Sequence, residues 1–233
     1  MDDLIEVVGV DGCRDGWIAV AAAPDLSGAS AALHGDLASL IAAHAKALIV
    51  IDMPIGLADG EEGRGADAAA RAILGPRRSS VFTPPCRDAL YEVDYPAANA
   101  AQRRATGKGL SKQAWMIAPK MREADQALDP ELQRRVVEGH PEVAFTVAGG
   151  APMTTHKSKL HGLFERLRVL APLGLRAEAL AADLPGDIDA QADDLIDACI
   201  LAHVAARRLR GEARRFPAAP RRDRRGLAME IWG

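Results

Sequence analysis

The stretch that most constrains this chain spans residues 4–20 and reads L-I-E-V-V-G-V-D-G-C-R-D-G-W-I-A-V. An apolar run ends in an acid, Asp11. A turn marked by Gly12 and Gly16 follows, and a second apolar run occupies 17–23. Two such runs joined by a short glycine-bearing turn predict a β-hairpin. The first run is too apolar for a strand with one wet face, so it is expected at the centre of a sheet, covered on both sides. A carboxylate there is costly unless something compensates its charge. Metal ions at the sheet's edge would do so, and four later acidic positions are candidates to share them.

Taken in order, residues 31–34 give a third short strand, and Asp36 caps a helical pattern over 37–47 with Leu37, Leu40 and Ile41 on one face. A second fully apolar strand, L-I-V-I-D at 48–52, is halted by Pro54. Three meandering strands, a helix and a buried strand predict a mixed sheet with a parallel crossover from the first strand to the fourth. Asp11 and Asp52 then end parallel neighbours, at the edge where open α/β sheets place their ligands.

Residues 53–135 are rich in helix formers, Gly and Pro and predict a helical insertion over that edge. It contains two polar loops, 75–87 and 106–113. Strand character returns over 135–145, broken at 139–141 and carrying Glu142. A helix is expected to start near Lys157, a last long helix to run over 192–209, and an apolar strand-like piece to occupy 227–232.

The expected architecture is one α/β domain over 1–233, a mixed five-stranded sheet flanked by helices. At 233 residues the chain can bury a sizeable core. Neither an internal repeat nor a low-complexity linker divides it. Aromatics make up only 4% of the residues, so that core rests on Ala, Leu, Val and Ile. Cys13, Cys86 and Cys199 are odd in number and far apart, which fits a reducing compartment and excludes a disulfide framework or zinc ribbon. Neither a signal peptide nor a run of ~18 apolar residues is present, so a cytoplasmic protein with no membrane contact is expected. The composition leaves room for a homo-oligomer.

Asp194 and Asp197 lie three apart on the last predicted helix, so their carboxylates share a face. Asp193 is expected to point elsewhere and to serve the helix N-terminus. Acids favour a first helical turn in any case, but Ile196, Ile200 and Leu201 bury this helix and draw Asp197 toward the core. Asp11 and Asp52 can each be explained as turn formers after a strand. Together with the helix pair they make a set of oxygen ligands without Cys or His, which suits Mg²⁺ or Mn²⁺. Two such ions ~4 Å apart activate a water and stabilise the leaving oxygen in phosphodiester cleavage.

Glu142 is a further candidate ligand, whereas His140 is expected to be structural. Arg77, Arg78, Arg87, Lys108, Lys112 and Lys157 are candidates for phosphate or nucleic-acid binding beside the acids, with solvated surface charge as the plainer alternative for each. Ser79 and Ser80 lack a nucleophile signature. Cys86, after two prolines, reads as packing, and Cys13 lies close enough to Asp11 to be considered for reactivity. From Arg207 to Arg225 nine arginines face only Glu212 and Asp223, a charge pattern compatible with nucleic acid or with a solubilising tail.

The motifs G-V-D-G-C-R-D-G-W, I-D-M-P-I-G-L, R-R-S-S-V-F-T-P-P-C-R, G-K-G-L-S-K-Q, H-P-E-V-A-F and D-D-L-I-D-A occur in this order along nearly the whole chain. In them the chain resembles the bacterial and archaeal family catalogued as domain of unknown function 429, described as predicted nucleases of the ribonuclease H fold. The resemblance implies metal ligands at the end of strand one, on strand four and on the last helix as a D-x-x-D pair. Those places match Asp11, Asp52, Asp194 and Asp197; Glu142 has no fixed counterpart, and the large insertion departs from the pattern. The expected activity is metal-dependent phosphodiester hydrolysis with nucleic acid as substrate. Two alternatives stand beside it. Actin-like ATPases and sugar kinases also begin with a D-G turn, though they pair two such domains. A non-catalytic binding module would keep the acids to hold an ion.

Overall fold

The structure is a computed structural model and describes residues 4–233. Strands β1 (Glu6–Cys13), β2 (Gly16–Ala22) and β3 (Ser30–His34) form an antiparallel meander. Helix α1 (Leu37–Ala43) crosses over to β4 (Ala47–Ile51), which pairs parallel with β1. The insertion then contributes α2 (Gly65–Leu74), a 3₁₀ turn (Gly75–Ser80), α3 (Arg87–Leu90), α4 (Tyr95–Thr106), α5 (Lys112–Met116) and α6 (Ala118–Ala127). Strand β5 (Val136–Glu138) adds parallel to β4, and the sheet order is β3-β2-β1-β4-β5. Helices α7 (Pro141–Gly149), α8 (Leu160–Leu170), α9 (Ala177–Leu180) and α10 (Ala192–Leu209) follow. The short strands β6 (Arg215–Phe216) and β7 (Ile231–Trp232) pair antiparallel. Among the described residues no helix is long and apolar enough to cross a membrane.

The mixed five-stranded sheet flanked by helices matches the expectation, with Asp36 capping α1 through Ser39 N at 2.7 Å. Two departures have clear physical causes. The stretch 135–145 is a strand only as far as Glu138. Pro141 takes the first turn of α7, where its missing N–H costs nothing, and Glu142 faces the positive end of that helix. The insertion does more than roof the sheet's edge, because α6 packs Met121 and Ala124 against a sheet face.

Side-chain alternation along β1 and β4 decides what meets the helices. Val8, Val10, Ile49 and Ile51 point to the layer of α1 and α6. Val7, Cys13, Leu48 and Val50 point to α10, packing with Ala198, Leu201 and Ala202. Each fully buried Val, Leu or Ile contributes roughly 1.5–3 kcal/mol relative to exposure. Gly9 lies in the α10-facing row, and its lack of a side chain lets the helix backbone come into contact. A Cβ there would sit 2.0 Å from the Ala198 carbonyl oxygen and 2.1 Å from the Ala202 nitrogen.

Candidate functional site

Alternation also places the acids. Asp11 stands two residues beyond Gly9 on the face that α10 covers, and Asp52 stands two beyond Val50 on the same face. The Asp52 amide donates to the Val10 carbonyl at 2.9 Å, so the parallel ladder continues to the two aspartates. Gly9 meets α10 at Ala198 and Ala202, so Asp11 meets it one turn nearer the N-terminus, at Asp194 and Asp197. Two strand residues advance about 6.6 Å and four helical residues about 6 Å, which keeps the two elements in step.

Asp11, Asp52, Asp194 and Asp197 therefore form one electrostatic cluster. Burial, followed by the charges of Asp52 and Asp197, holds the Asp11 carboxyl well above its ordinary range. Asp52 and Asp194 are raised chiefly by burial as well. Asp197 is only 1% exposed, and burial pushes it up to about 7 despite an ion pair. That pair is with Lys157, whose Nζ stands 2.6 Å from Asp197 Oδ2 and 3.0 Å from Asp193 Oδ2. Burial weakens the ammonium, but Asp197 and Asp11 outweigh it and hold Lys157 above the usual lysine range. Asp197 Oδ1 is buried without a hydrogen-bond partner. Asp11 Oδ1 accepts from the Gly12 amide at 2.7 Å, and Asp194 Oδ2 accepts from the Gln191 amide at 2.8 Å in a capping box.

The roles of the first-turn acids thus differ from the sequence expectation. Asp194 caps the helix, whereas Asp193 turns into the cluster and binds Lys157. Positions 193 and 197 are i,i+4 neighbours, as close on a helix surface as 194 and 197, so spacing alone could not separate them.

Glu142 sits beside the cluster, tied to Arg77 at 3.1 Å and to the fully buried Arg166, with Oε2 unpartnered. Arg166 also donates to the carbonyls of Thr155 at 3.2 Å and Gly162 at 2.8 Å, which fastens the segment carrying Lys157. Nothing in the sequence pattern marks this arginine beyond a helical position in α8.

The other basic candidates divide. Arg77 reaches the site through Glu142, and Arg78 is exposed on the same 3₁₀ turn. Arg87 is buried and ion-paired with Asp125 and Asp223; it is a structural tie between α3, α6 and the C-terminal segment. Lys108 lines a separate cavity of about 470 Å³ with Arg71, Ser79 and Ser111, whose lining includes none of the four clustered aspartates. Lys112 is exposed at the start of α5. A different cavity, of about 460 Å³, opens beside the cluster between Gly12, Arg14, Lys120, Gln191 and Asp194. Lys120 lies 4.2 Å over the Trp17 ring and donates to the Gly16 carbonyl at 2.6 Å.

Cys13 and Cys86 are buried and burial raises both thiols, so neither is a nucleophile at neutral pH. The arginine-rich segment is partly committed to the fold, through pairs with the buried Glu230 and Asp125, while its other ion pairs are exposed. Arg210 pairs with Glu212, Arg215 with Glu230, Arg221 with Glu62, Arg224 with Asp88 and Arg225 with Asp125.

A family model described as "Protein of unknown function (DUF429)" matches residues 9–222. The chain belongs to that family. No curated protein and no solved structure matches it. The matched span includes all four aspartates, Asp193, Lys157 and Arg166.

These side chains suit a hard divalent cation by their chemistry: the donors are carboxylates, and one buried oxygen lacks a partner. Among the described residues no three of His, Cys, Asp or Glu stand already arranged to hold a metal. Asp193 and Asp197 are instead drawn onto the Lys157 ammonium.

Proposed function

We propose that this protein is a ribonuclease H-like, divalent-metal-dependent nuclease that hydrolyses phosphodiester bonds at the Asp11–Asp52–Asp194–Asp197 cluster. The observation that carries the reading is the convergence of two strand-end and two helix aspartates on one face of the sheet, with Asp197 Oδ1 buried and unpartnered. Asp11, Asp52, Asp194 and Asp197 would hold Mg²⁺ or Mn²⁺, which would supply a nucleophilic water and charge stabilisation for the leaving oxygen.

The chain's own residues do the rest. Asp11 and Asp52, on a rigid pair of central strands, set the position of the donors. Asp197 is held by α10 packing, and Asp194 is oriented by its hydrogen bond to the Gln191 amide. Arg14 and Lys120 line the adjoining cavity, where they would bind the phosphates of a nucleic-acid strand. The alternative is a non-catalytic metal- or nucleic-acid-binding protein. The observation in its favour is the Lys157 ion pair, which already neutralises part of the cluster.

A cleavage screen decides between them. Purified protein with Mg²⁺ or Mn²⁺ is offered single strands, duplexes and junctions of DNA and RNA. Cleavage of at least one substrate is expected, with Asp11→Asn reducing it by more than about 100-fold, beyond the loss typical of an outer-shell partner. Absence of cleavage across the panel, or equal cleavage by Asp11→Asn, sinks the nuclease reading.

A further inference from the structure

Lys157 stands out in the cluster because it is a cation placed by the fold. It lies between α7 and α8, outside regular structure, yet its surroundings leave it little freedom. Arg166, 1% exposed, donates to Thr155 O two residues before it. Gly162 of α8 packs so closely that a Cβ there would lie 2.1 Å from the His156 carbonyl oxygen, one residue before it. The ammonium has three N–H donors. One goes to Asp197 Oδ2 at 2.6 Å, and Asp193 Oδ2 stands 3.0 Å from the ammonium as a second ion-pair partner. Donor capacity remains on the ammonium, and the side chain is 32% exposed.

We propose that Lys157 is a built-in cation of the carboxylate cluster, standing where a second metal ion would otherwise sit, so that each chain holds one divalent ion. This deepens the metal-dependent reading above and rests on it. Two octahedral ions ~4 Å apart would have to share a carboxylate between them. The most buried candidate, Asp197, has committed Oδ2 to Lys157 and keeps only Oδ1 free. Asp194 and Asp11 have each committed one oxygen to a backbone amide. What these three leave open is Asp197 Oδ1 and the second oxygens of Asp11 and Asp194, few enough donors to serve one ion and not two. The remaining N–H of Lys157 is a donor for a phosphate oxygen of the substrate, the part a second metal ion plays in a two-metal site. Asp193, which would be redundant as a metal ligand, gains its role as the second anchor of the ammonium.

The test is stoichiometric and needs no substrate. Chelator-stripped full-length protein is titrated with Mn²⁺, following heat by calorimetry and the bound ion by electron paramagnetic resonance. The expected result is one equivalent per chain with the spectrum of an isolated ion. Lys157→Met, which keeps the aliphatic stem and removes the charge, should take a second equivalent and show an exchange-coupled pair. Two equivalents on the wild type, or a single one on Lys157→Met, overturns the proposal. Should Lys157→Met fail to fold, the wild-type count alone still decides. Two equivalents together with Mn²⁺-dependent cleavage would remove the Lys157 inference and leave the nuclease reading standing. No binding at all would remove both.

Discussion

Asp197 is the residue at which burial and charge compete most sharply. It carries a carboxyl pushed up to about 7 by burial, against the pull of the Lys157 ammonium. A folded-state value above the ordinary aspartate value of about 3.9 means that the fold prefers the protonated acid. That contribution to stability is fully present below about pH 4 and is lost as pH rises through 7. The metal-free protein should therefore lose stability between pH 5.5 and 8. Asp197→Asn, which cannot ionise, should lose less. Melting curves at the two pH values check this, and equal slopes in wild type and variant would contradict it. Divalent cations favour the ionised form, so their binding should strengthen with pH and release protons. Of the residues involved, the four aspartates were legible from the sequence because each followed an apolar run or opened an amphipathic helix. Asp193 and Arg166 were not, since helical spacing admits both i,i+3 and i,i+4 partners and a buried arginine reads like any polar helix position. Arg87 was misassigned for the converse reason: a basic residue in a polar loop gives no sign that Asp125 and Asp223 will bury it.

Among the elements, the pairing of β1 with α10 matters most. The hairpin, the parallel crossover and the last helix could all be read from periodicity and turn chemistry. Helix α7 was missed because strand-like residues, V-V-E and V-A-F, flank a Pro141 that in fact opens a helix; Pro followed by Glu is the helix-start signal that was available. The contact at Gly9 is the device that sets the height of α10 over the sheet. Gly9→Ala would force a Cβ into the helix backbone at Ala198 and Ala202, with no flexible side chain to give way. Overpacking of this kind typically costs about 1–3 kcal/mol, and a backbone-to-backbone clash belongs at or above the top of that range. Because α10 carries Asp194 and Asp197, the same change should also weaken Mn²⁺ binding. Chemical denaturation and Mn²⁺ titration of Gly9→Ala measure the two effects. A stable variant with wild-type metal affinity would show that the helix is positioned by something else.

For the whole molecule, charge had to be judged by where it is spent. The arginines of residues 207–225 form a basic run in the sequence, yet Arg215 and Arg225 are tied to the buried Glu230 and Asp125, and Arg210, Arg221 and Arg224 make exposed pairs with Glu212, Glu62 and Asp88. Sequence-local charge counts cannot see such long-range pairs. The cationic groups left beside the carboxylates are fewer, Arg14, Lys120 and Lys157 among them. Arg14 is itself paired with Asp189 at 2.7 Å, but both partners are substantially exposed, so the pair is weak and exchangeable with a phosphate. All of this depends on the cluster being a cation site. The measurement that addresses it most directly is anomalous diffraction from crystals equilibrated with Mn²⁺. An anomalous peak is expected within coordination distance of Asp11, Asp52 and Asp197. A fully occupied crystal soak with no peak there, or with Mn²⁺ bound only elsewhere on the surface, would contradict it.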